Sequence, residues 1–251
     1  MNGTPDQGGL TPGPRPGVHR HFHDELSGLK SKLLTMSADA QVALGTALDA
    51  VLKRDGALAA QVIAGDGILD TLEMEIEETV VDLLATQQPM ARDLRLLLAA
   101  MKIANDLERV GDHAVNIAES ALRLADKPKV NIRIPEIEVM ARRARKMLGD
   151  SLDAFIRADG ALGRQVCKDD DVVDSLHDSV FRVLLTHMMA DAKTITPSLE
   201  LLLVGRNLER IADLATNIGE DAVYLAEGKQ IKHHREEEHI NEARLQTAPS
   251  S

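Results

Sequence analysis

The sequence predicts an all-α protein built from two tandem, duplicated three-helix bundles, with six long helices in total. Aromatic residues make up 2% of the chain and Trp is absent, so the hydrophobic 44% is mainly Leu, Ala, Val, Ile and Met. Such a composition suits helix-on-helix packing and supplies few strand formers. From Asp24 onward the apolar residues recur at helical spacing, and two stretches occur twice in the same order.

The chain begins with a segment crowded with Gly and Pro, which we predict to be a disordered tail over residues 1–23. Its end carries His19, His21 and His23 at alternating positions, and alternating histidines can chelate a metal. We interpret this run as a solvated lead-in to the first helix, because it lacks supporting groups that would orient the imidazoles.

Gly and Pro residues punctuate the remaining chain and set the predicted helix ends. The six predicted helices span 24–54, 57–87, 91–126, 136–158, 161–190 and 196–227. The first bundle therefore occupies 24–127 and the second 136–228. Between them, residues 128–135 form a predicted extended linker, and a charged C-terminal tail follows over 229–251.

The internal repeat defines the two bundles. Residues 48–50 recur as 152–154, and Asp55-Gly56-Ala57-Leu58 recurs as Asp159-Gly160-Ala161-Leu162. Further along, residues 107–119 match residues 208–220. Because two different stretches repeat in the same order, three helices were duplicated as a unit.

Acidic pairs spaced i, i+4 recur beside the core stripe on the second and third helices of each copy. Such pairs share one helix face. When the two helices fold into an antiparallel hairpin, residues equally far from the turn come level, because the rise per residue is the same on both arms. Each copy then brings four carboxylates together: Asp66, Asp70, Glu108 and Asp112 in the first, and Asp170, Asp174, Glu209 and Asp213 in the second.

Four clustered carboxylates need a counter-charge, since two unit charges about 4 Å apart repel by roughly 4 kcal/mol at an effective dielectric near 20. Protonation, salt bridges from Arg109 and Arg210, or a bound cation can each offset this charge. We favour the cation because the quartet recurs in register. Oxygen ligands suit magnesium, calcium or manganese, and an added imidazole admits iron or zinc. His177 stands where the first copy has Glu73 and is a candidate extra ligand; His113 is a weaker one.

Charge and cysteine content restrict the partners and the compartment. The net charge of −11 opposes binding to nucleic acid, and the scarcity of aromatic residues removes stacking platforms. No apolar run approaches the roughly 20 residues of a transmembrane helix, and no secretory signal is recognisable. The lone Cys167 forms no intramolecular disulfide. We therefore expect a cytoplasmic protein that contacts other proteins.

The duplicated motifs resemble those of the PhoU family, regulatory accessory proteins of bacterial phosphate-specific transport. The resemblance rests on residues 105–119, on the weaker partner 206–213 and on Arg92-Asp93-Leu94-Arg95, and it covers roughly residues 24 to 228. It implies two symmetric bundles whose acidic motifs bind iron or zinc clusters in some members, at the eight carboxylates named above. One departure is Leu214 in the place of His113, which predicts two unequal sites.

The resemblance also implies a homodimer and repression of phosphate-starvation signalling. The implied partners are a membrane sensor histidine kinase and the ATPase subunit of the phosphate transporter. A carboxylate-bridged metalloenzyme is the alternative, because helical bundles also support such catalysis. The acidic stripes lack the Glu-x-x-His motif of di-iron oxidases, so we expect regulation rather than catalysis. An inert helical scaffold is a third reading, but it gives no reason for acids to recur in register.

Overall fold

The computed structural model describes residues 16–127 and 134–231, with side chains described from Phe22 onward. The predicted tail before residue 16, the side chains of His19 and His21, most of the predicted linker and the chain beyond 231 lie outside these residues. The described ranges consist of helices joined by short turns, so the all-α fold class is confirmed.

The helices occur in the predicted order, and most of their ends lie close to the predicted ones. They are α1 (Pro16–Lys53), α2 (Gly56–Ala64), α3 (Gly67–Gln87), α4 (Ala91–Ala125), α5 (Pro135–Arg157), α6 (Gly160–Ala190) and α7 (Ile195–Glu227), with a 3₁₀ turn at Ala192–Thr194 before α7. None of these helices carries an apolar stretch of the length that crossing a bilayer requires.

The first helix begins earlier than predicted. Residues 16–23 were assigned to the tail, but α1 starts at Pro16 and buries Phe22. Proline is tolerated in the first turn of a helix, where its missing N–H has no intrahelical partner. The predicted start at residue 24 was therefore too late, because Gly and Pro were taken to exclude a helix.

The second predicted helix, 57–87, is broken into α2 and α3. Gly65 and Gly67 flank Asp66 at the break, and glycine disfavours helix interiors by about 1 kcal/mol relative to alanine. In the second copy the matching residues are Asp169, Asp170 and Asp171, and α6 runs through them without interruption. Loss of helix propensity thus explains why only one copy is broken.

Capping residues fix the starts of α2 and α6. The Asp55 carboxylate accepts hydrogen bonds from the N–H groups of Ala57 and Leu58, and Asp159 does the same for Ala161 and Leu162. These are the two copies of the same N-cap. Pro135 occupies the first turn of α5, and α7 ends at Gly228, whose positive φ of 71° suits glycine.

The two bundles lie side by side and share one hydrophobic core. Helices α1 to α4 form the first bundle and α5 to α7 the second, with α4 packed along α7. Buried apolar side chains from both bundles form one continuous cluster. Polar contacts cross the seam between α4 and α7, including Arg123 Nε to Glu200 Oε2 at 2.9 Å. Each acidic helix pair therefore has one wall, α4 or α7, that also faces the other bundle.

Candidate functional site

The first acidic groove lies between α3 and α4, in the register that the sequence predicts. Asn105 Nδ2 donates to Glu73 Oε1 at 3.0 Å, and these two residues are equally far from the turn. One turn further along, the helices approach so closely that a Cβ on Gly111 would lie 2.4 Å from Leu69 Cδ1. Glycine therefore lets α3 and α4 bring their acidic stripes together.

The acids of the first groove act on one another electrostatically. Burial raises the pKa of Glu108, and four neighbouring charges raise it further, to about 7; in order of effect these are Asp112, Glu73, Asp70 and Asp66. Burial also raises the pKa of Asp66, followed by the charges of Asp112 and Asp70. Charges act on one another in this way only at short range, so these carboxylates lie near one another between α3 and α4.

The second acidic groove lies between α6 and α7. A Cβ on Gly205 would be 3.6 Å from His177 Cδ2, which fixes the register of the hairpin beside the acids. Burial raises the pKa of Asp174, the charges of Asp213 and Asp171 raise it further, and His177 lowers it. In this groove the charge that acts on Asp174 from α7 is that of Asp213, whereas the predicted partner of Asp174 was Glu209.

The two other acids of the second groove differ from their counterparts in burial and in partners. Asp170 is 4% exposed and lies among buried residues of α6, near Cys167. Arg210 lies 3.7 Å from Glu209 and 3.0 Å from Asp213, so a guanidinium already offsets part of the charge. In the first copy Arg109 instead contacts Asp106, at 3.8 Å. The salt-bridge reading therefore describes the second groove better than the first.

The donor set of the grooves suits hard cations, because it consists of carboxylate oxygens with one imidazole in the second copy. Across residues 16–127 and 134–231, no three His, Cys, Asp or Glu side chains are grouped closely enough to hold one ion. Asp70 and Asp112 are exposed, so their side chains are free to turn toward Glu108. Ion binding thus requires side-chain rotation, and the ligand assignment stays a prediction.

His113 does not join the first groove. Its Nδ1 lies 2.9 Å from Asn207 Oδ1, across the seam between α4 and α7. The repeat explains this placement, because Asn207 occupies the position that matches Asp106 in the first copy. His113 therefore contributes to bundle packing, and His177 is the histidine that lies beside carboxylates.

A second set of ionisable groups, which the sequence did not predict, lies in the seam between α4 and α7. Asp106 is 8% exposed; burial, and then the charge of Asp221, raises its pKa to about 6, against the lowering effects of Arg109, Asn217 and Lys102. Lys102 Nζ lies 3.2 Å from Asp221 Oδ1. The Asn-Asp-Leu-Glu-Arg stretch contained Asp106, but nothing in one copy's periodicity indicates which residues of the other copy it meets.

Comparison with known proteins identifies the same repeat. A sequence model described as the PhoU domain matches residues 33–121 and again residues 137–222. A relative from Clostridium acetobutylicum, named phosphate-specific transport system accessory protein PhoU homolog, is 39% identical over 211 residues, which are 84% of this chain and 96% of that protein. A relative of the same name from Caulobacter vibrioides is 39% identical over 216 residues, 86% of this chain and 94% of that protein.

Solved structures resemble the chain over the same extent. The crystal structure of PhoU from Pseudomonas aeruginosa is 36% identical, with a TM-score of 0.79, and the match covers 83% of this chain and 100% of that one. The phosphate transport system regulatory protein PhoU from Streptococcus pneumoniae is 28% identical, with a TM-score of 0.77 and coverage of 84% and 99%.

Proposed function

Because this chain belongs to the PhoU family, we propose that it is a negative regulator of phosphate uptake and of phosphate-starvation signalling. It acts without catalysis, by contact with other proteins. Support comes from the relatives, which are named accessory proteins of phosphate-specific transport, and from the similar Streptococcus pneumoniae protein, which is named a phosphate transport system regulatory protein. The net charge of −11 favours docking on protein surfaces over anionic lipid or nucleic acid.

The proposed partners are the ATPase subunit of the phosphate transporter and a membrane sensor histidine kinase, which this protein would meet from the cytoplasm. The proposed working form is a homodimer. The long rigid helices present extended faces on both bundles, and helix faces are a common means of binding proteins.

A metal ion in each acidic groove completes the proposal. The observation that carries it is Glu108, whose pKa is raised to about 7 by burial and by four other carboxylates. A cation replaces the proton that such a cluster otherwise takes up. The first site is assigned to Asp66, Asp70, Glu108 and Asp112, and the second to Asp170, Asp174, Glu209 and Asp213. Iron or zinc is proposed first, with manganese or magnesium as alternatives.

Elemental analysis of purified protein tests the metal sites. We expect bound transition metal in the wild type and its loss in an Asp112→Ala, Asp213→Ala double variant, because each substitution removes a ligand from one groove. Glu119→Ala, on the same helix but outside the quartets, is the matched control. Metal content that is equal in all three proteins would reject these ligand sets.

Gene deletion tests the regulatory role. We expect a deletion strain to express phosphate-scavenging genes in phosphate-rich medium, where the wild type represses them, as read by alkaline phosphatase activity. Restoration by the wild-type gene is the control. Unchanged expression after deletion would contradict regulation, and turnover of phosphoesters by the purified protein that depends on the same acids would favour the metalloenzyme.

A further inference from the structure

The densest run of positive charge in the chain lies on α5. Residues 142–146 read Arg-Arg-Ala-Arg-Lys, in a chain whose net charge is −11. The four basic side chains are exposed, and Ala144 alone is buried. The matching residues of the first copy, 38–42, read Ala-Asp-Ala-Gln-Val. Because the first bundle packs its corresponding helix without a basic residue here, packing does not require the positive run.

An open hollow of about 440 Å³, which we call the α1–α5 hollow, lies between this part of α5 and α1. Two glycines that match in the repeat, Gly45 and Gly149, help to leave it unfilled. A Cβ on Gly45 would lie 3.4 Å from Arg145 Nη1, and a Cβ on Gly149 would lie 3.9 Å from Gln41 Oε1. Arg145 and Gln41 also match in the repeat. Each therefore reaches across to the glycine of the other helix, and both line the hollow.

The acids near the α1–α5 hollow each have a cation on their own helix. The ion pairs, which all join residues four positions apart, are Lys146 with Asp150, Arg157 with Asp153 and, on α1, Lys53 with Asp49. Within the ranges that the structure describes, Arg145 has no carboxylate partner. Its guanidinium is therefore the positive charge of the hollow that the protein's own acids leave available.

The donors around Arg145 indicate the kind of ligand. Arg142 lies one turn away on the same side of α5 and reaches Glu138 only at 4.0 Å, an exposed contact that holds it weakly. From α1, the Gln41 amide donates one N–H to Ser37 Oγ at 3.3 Å and has a second N–H to offer. Guanidinium groups bind phosphate through paired N–H groups. Two of them suit a doubly charged phosphate better than a singly charged carboxylate.

We propose that the α1–α5 hollow binds a phosphate group, held by Arg145 and Arg142 of the second bundle and by the Gln41 amide of the first. The volume lies in the range of small-molecule sites, roughly 300–1,000 Å³, so it admits the free ion or a small phosphate ester. Such a ligand links α1 to α5, which contact each other less extensively than α4 and α7 do. The inference goes beyond the proposed function, because the site needs neither a metal ion nor a partner protein.

Calorimetric titration of the full-length protein with inorganic phosphate tests the site. We expect saturable binding that Arg145→Gln weakens at least about tenfold, because it replaces the guanidinium by the amide found at Gln41. The matched control is Arg182→Gln, which removes one positive charge from an exposed position of α6 and should leave the affinity unchanged. Equal affinity in the wild type and the Arg145→Gln variant, or an equal loss in both variants, would overturn the proposal.

Two further variants change the α1–α5 hollow by other routes. Gly149→Leu fills it without changing any charge and should weaken phosphate binding as Arg145→Gln does. Asp150→Asn removes a negative charge and releases Lys146, so it should strengthen binding. Full affinity in the Gly149→Leu variant would show that phosphate binds elsewhere, and weaker binding by the Asp150→Asn variant would contradict the charge argument. Circular dichroism melting checks that each variant is folded.

Other ligands and one more variant identify what is bound and where. Titration with adenosine monophosphate shows whether the phosphate group comes from an ester, through tighter binding, or from the free ion, and binding of neither rejects the site. Acetate that binds as tightly as phosphate would overturn the choice of ligand. The Asp112→Ala, Asp213→Ala variant should bind phosphate fully. Loss of binding there would mean that a metal ion holds the phosphate, so this site would fail while the proposed metal sites stand.

Discussion

The two bundles share one duplicated design, yet their acidic grooves have become different. Between α3 and α4 acids continue along the groove through Glu73 and Glu77, and Arg109 contacts Asp106 rather than the quartet. Between α6 and α7 the matching positions hold His177 and Phe181, and Arg210 contacts Glu209 and Asp213. What both grooves retain is the pairing of acids across an antiparallel hairpin; what changed is the side chains around it.

This difference shows that the pairing of the acids and the side chains around them are determined separately. Helix geometry places the quartets, so any duplicated hairpin with the same register keeps them. The neighbours are free to vary, and they have made the first groove more acidic and the second more apolar. Substitutions that give one copy the residue of the other therefore measure what each change contributes.

The largest expected effect concerns helix spacing in the second bundle. A Cβ on Gly163 would lie 2.6 Å from the Gly219 carbonyl oxygen, a backbone atom that cannot turn aside. Gly163→Ala, which installs the residue found at Ala59 in the first copy, should lower the free energy of unfolding by about 3 kcal/mol, because α6 and α7 must separate. Denaturant melts give the value. Gly149→Ala, where the nearest atom is 3.9 Å away, should not destabilise.

The seam gives the next largest effect. The folded pKa of Asp106 is raised from 3.8 to about 6, so wild-type stability falls as pH rises from about 4 to about 6. Asp106→Asn installs the residue found at Asn207 and removes this loss. It should raise the free energy of unfolding by about 2 kcal/mol at pH 8 and by little at pH 4. Melts at both pH values test the sign, and an equal gain at pH 4 would contradict the titration.

The two N-caps should behave alike. Asp55 and Asp159 each accept two backbone N–H groups at matching helix starts. Replacing either one by alanine should lower the free energy of unfolding by about 1 kcal/mol. Values measured by urea melts that differ by a factor of three or more would show that the copies are not equivalent even where their sequences match.

The smallest expected effect on stability concerns the matching residues Glu108 and Glu209. It is measured on protein freed of metal by chelation. The raised pKa of Glu108 means that its ionisation destabilises the first groove as pH rises toward 7. At pH values above 7, Glu108→Gln should therefore raise the free energy of unfolding by roughly 0.5 kcal/mol after solvent screening. The melting temperature should rise slightly with it. Glu209→Gln breaks the contact with Arg210 and should give no gain. Equal gains in both variants would mean that the grooves are electrostatically the same.

The helix positions could be predicted because local signals set them. Asp55, Asp159 and Pro135 mark helix starts in the sequence itself. Apart from the start of α1 and the break between α2 and α3, the observed bounds lie within one residue of the predicted ones. One geometric rule predicted that Asp70 lies level with Glu108 and Asp66 with Asp112, and the charges of these pairs do act on each other. The break at Gly65–Gly67 was missed because the apolar period continues across it, and α1 extends further than its Gly and Pro content indicates.

Contacts between the copies were beyond prediction. His113 meets Asn207, and Asp106 meets Asp221, because α4 packs along α7. Periodicity identifies a helix face, but it carries no information about which helix of the other bundle covers that face. Side-chain direction was beyond prediction too: the four acids share a groove without being grouped as ligands, since mutual repulsion keeps exposed carboxylates apart.

The break before Asp66 has a mechanical consequence. With nine residues, α2 is shorter than the roughly 12 that an isolated helix needs in water, whereas its counterpart is the opening part of a 31-residue rod. We expect α2 to open and close as a unit of its own, so that its amide hydrogens exchange with solvent while α3 and α4 remain protected. The first bundle can therefore bend between α2 and α3, beside its acids, whereas the continuous α6 of the second bundle cannot.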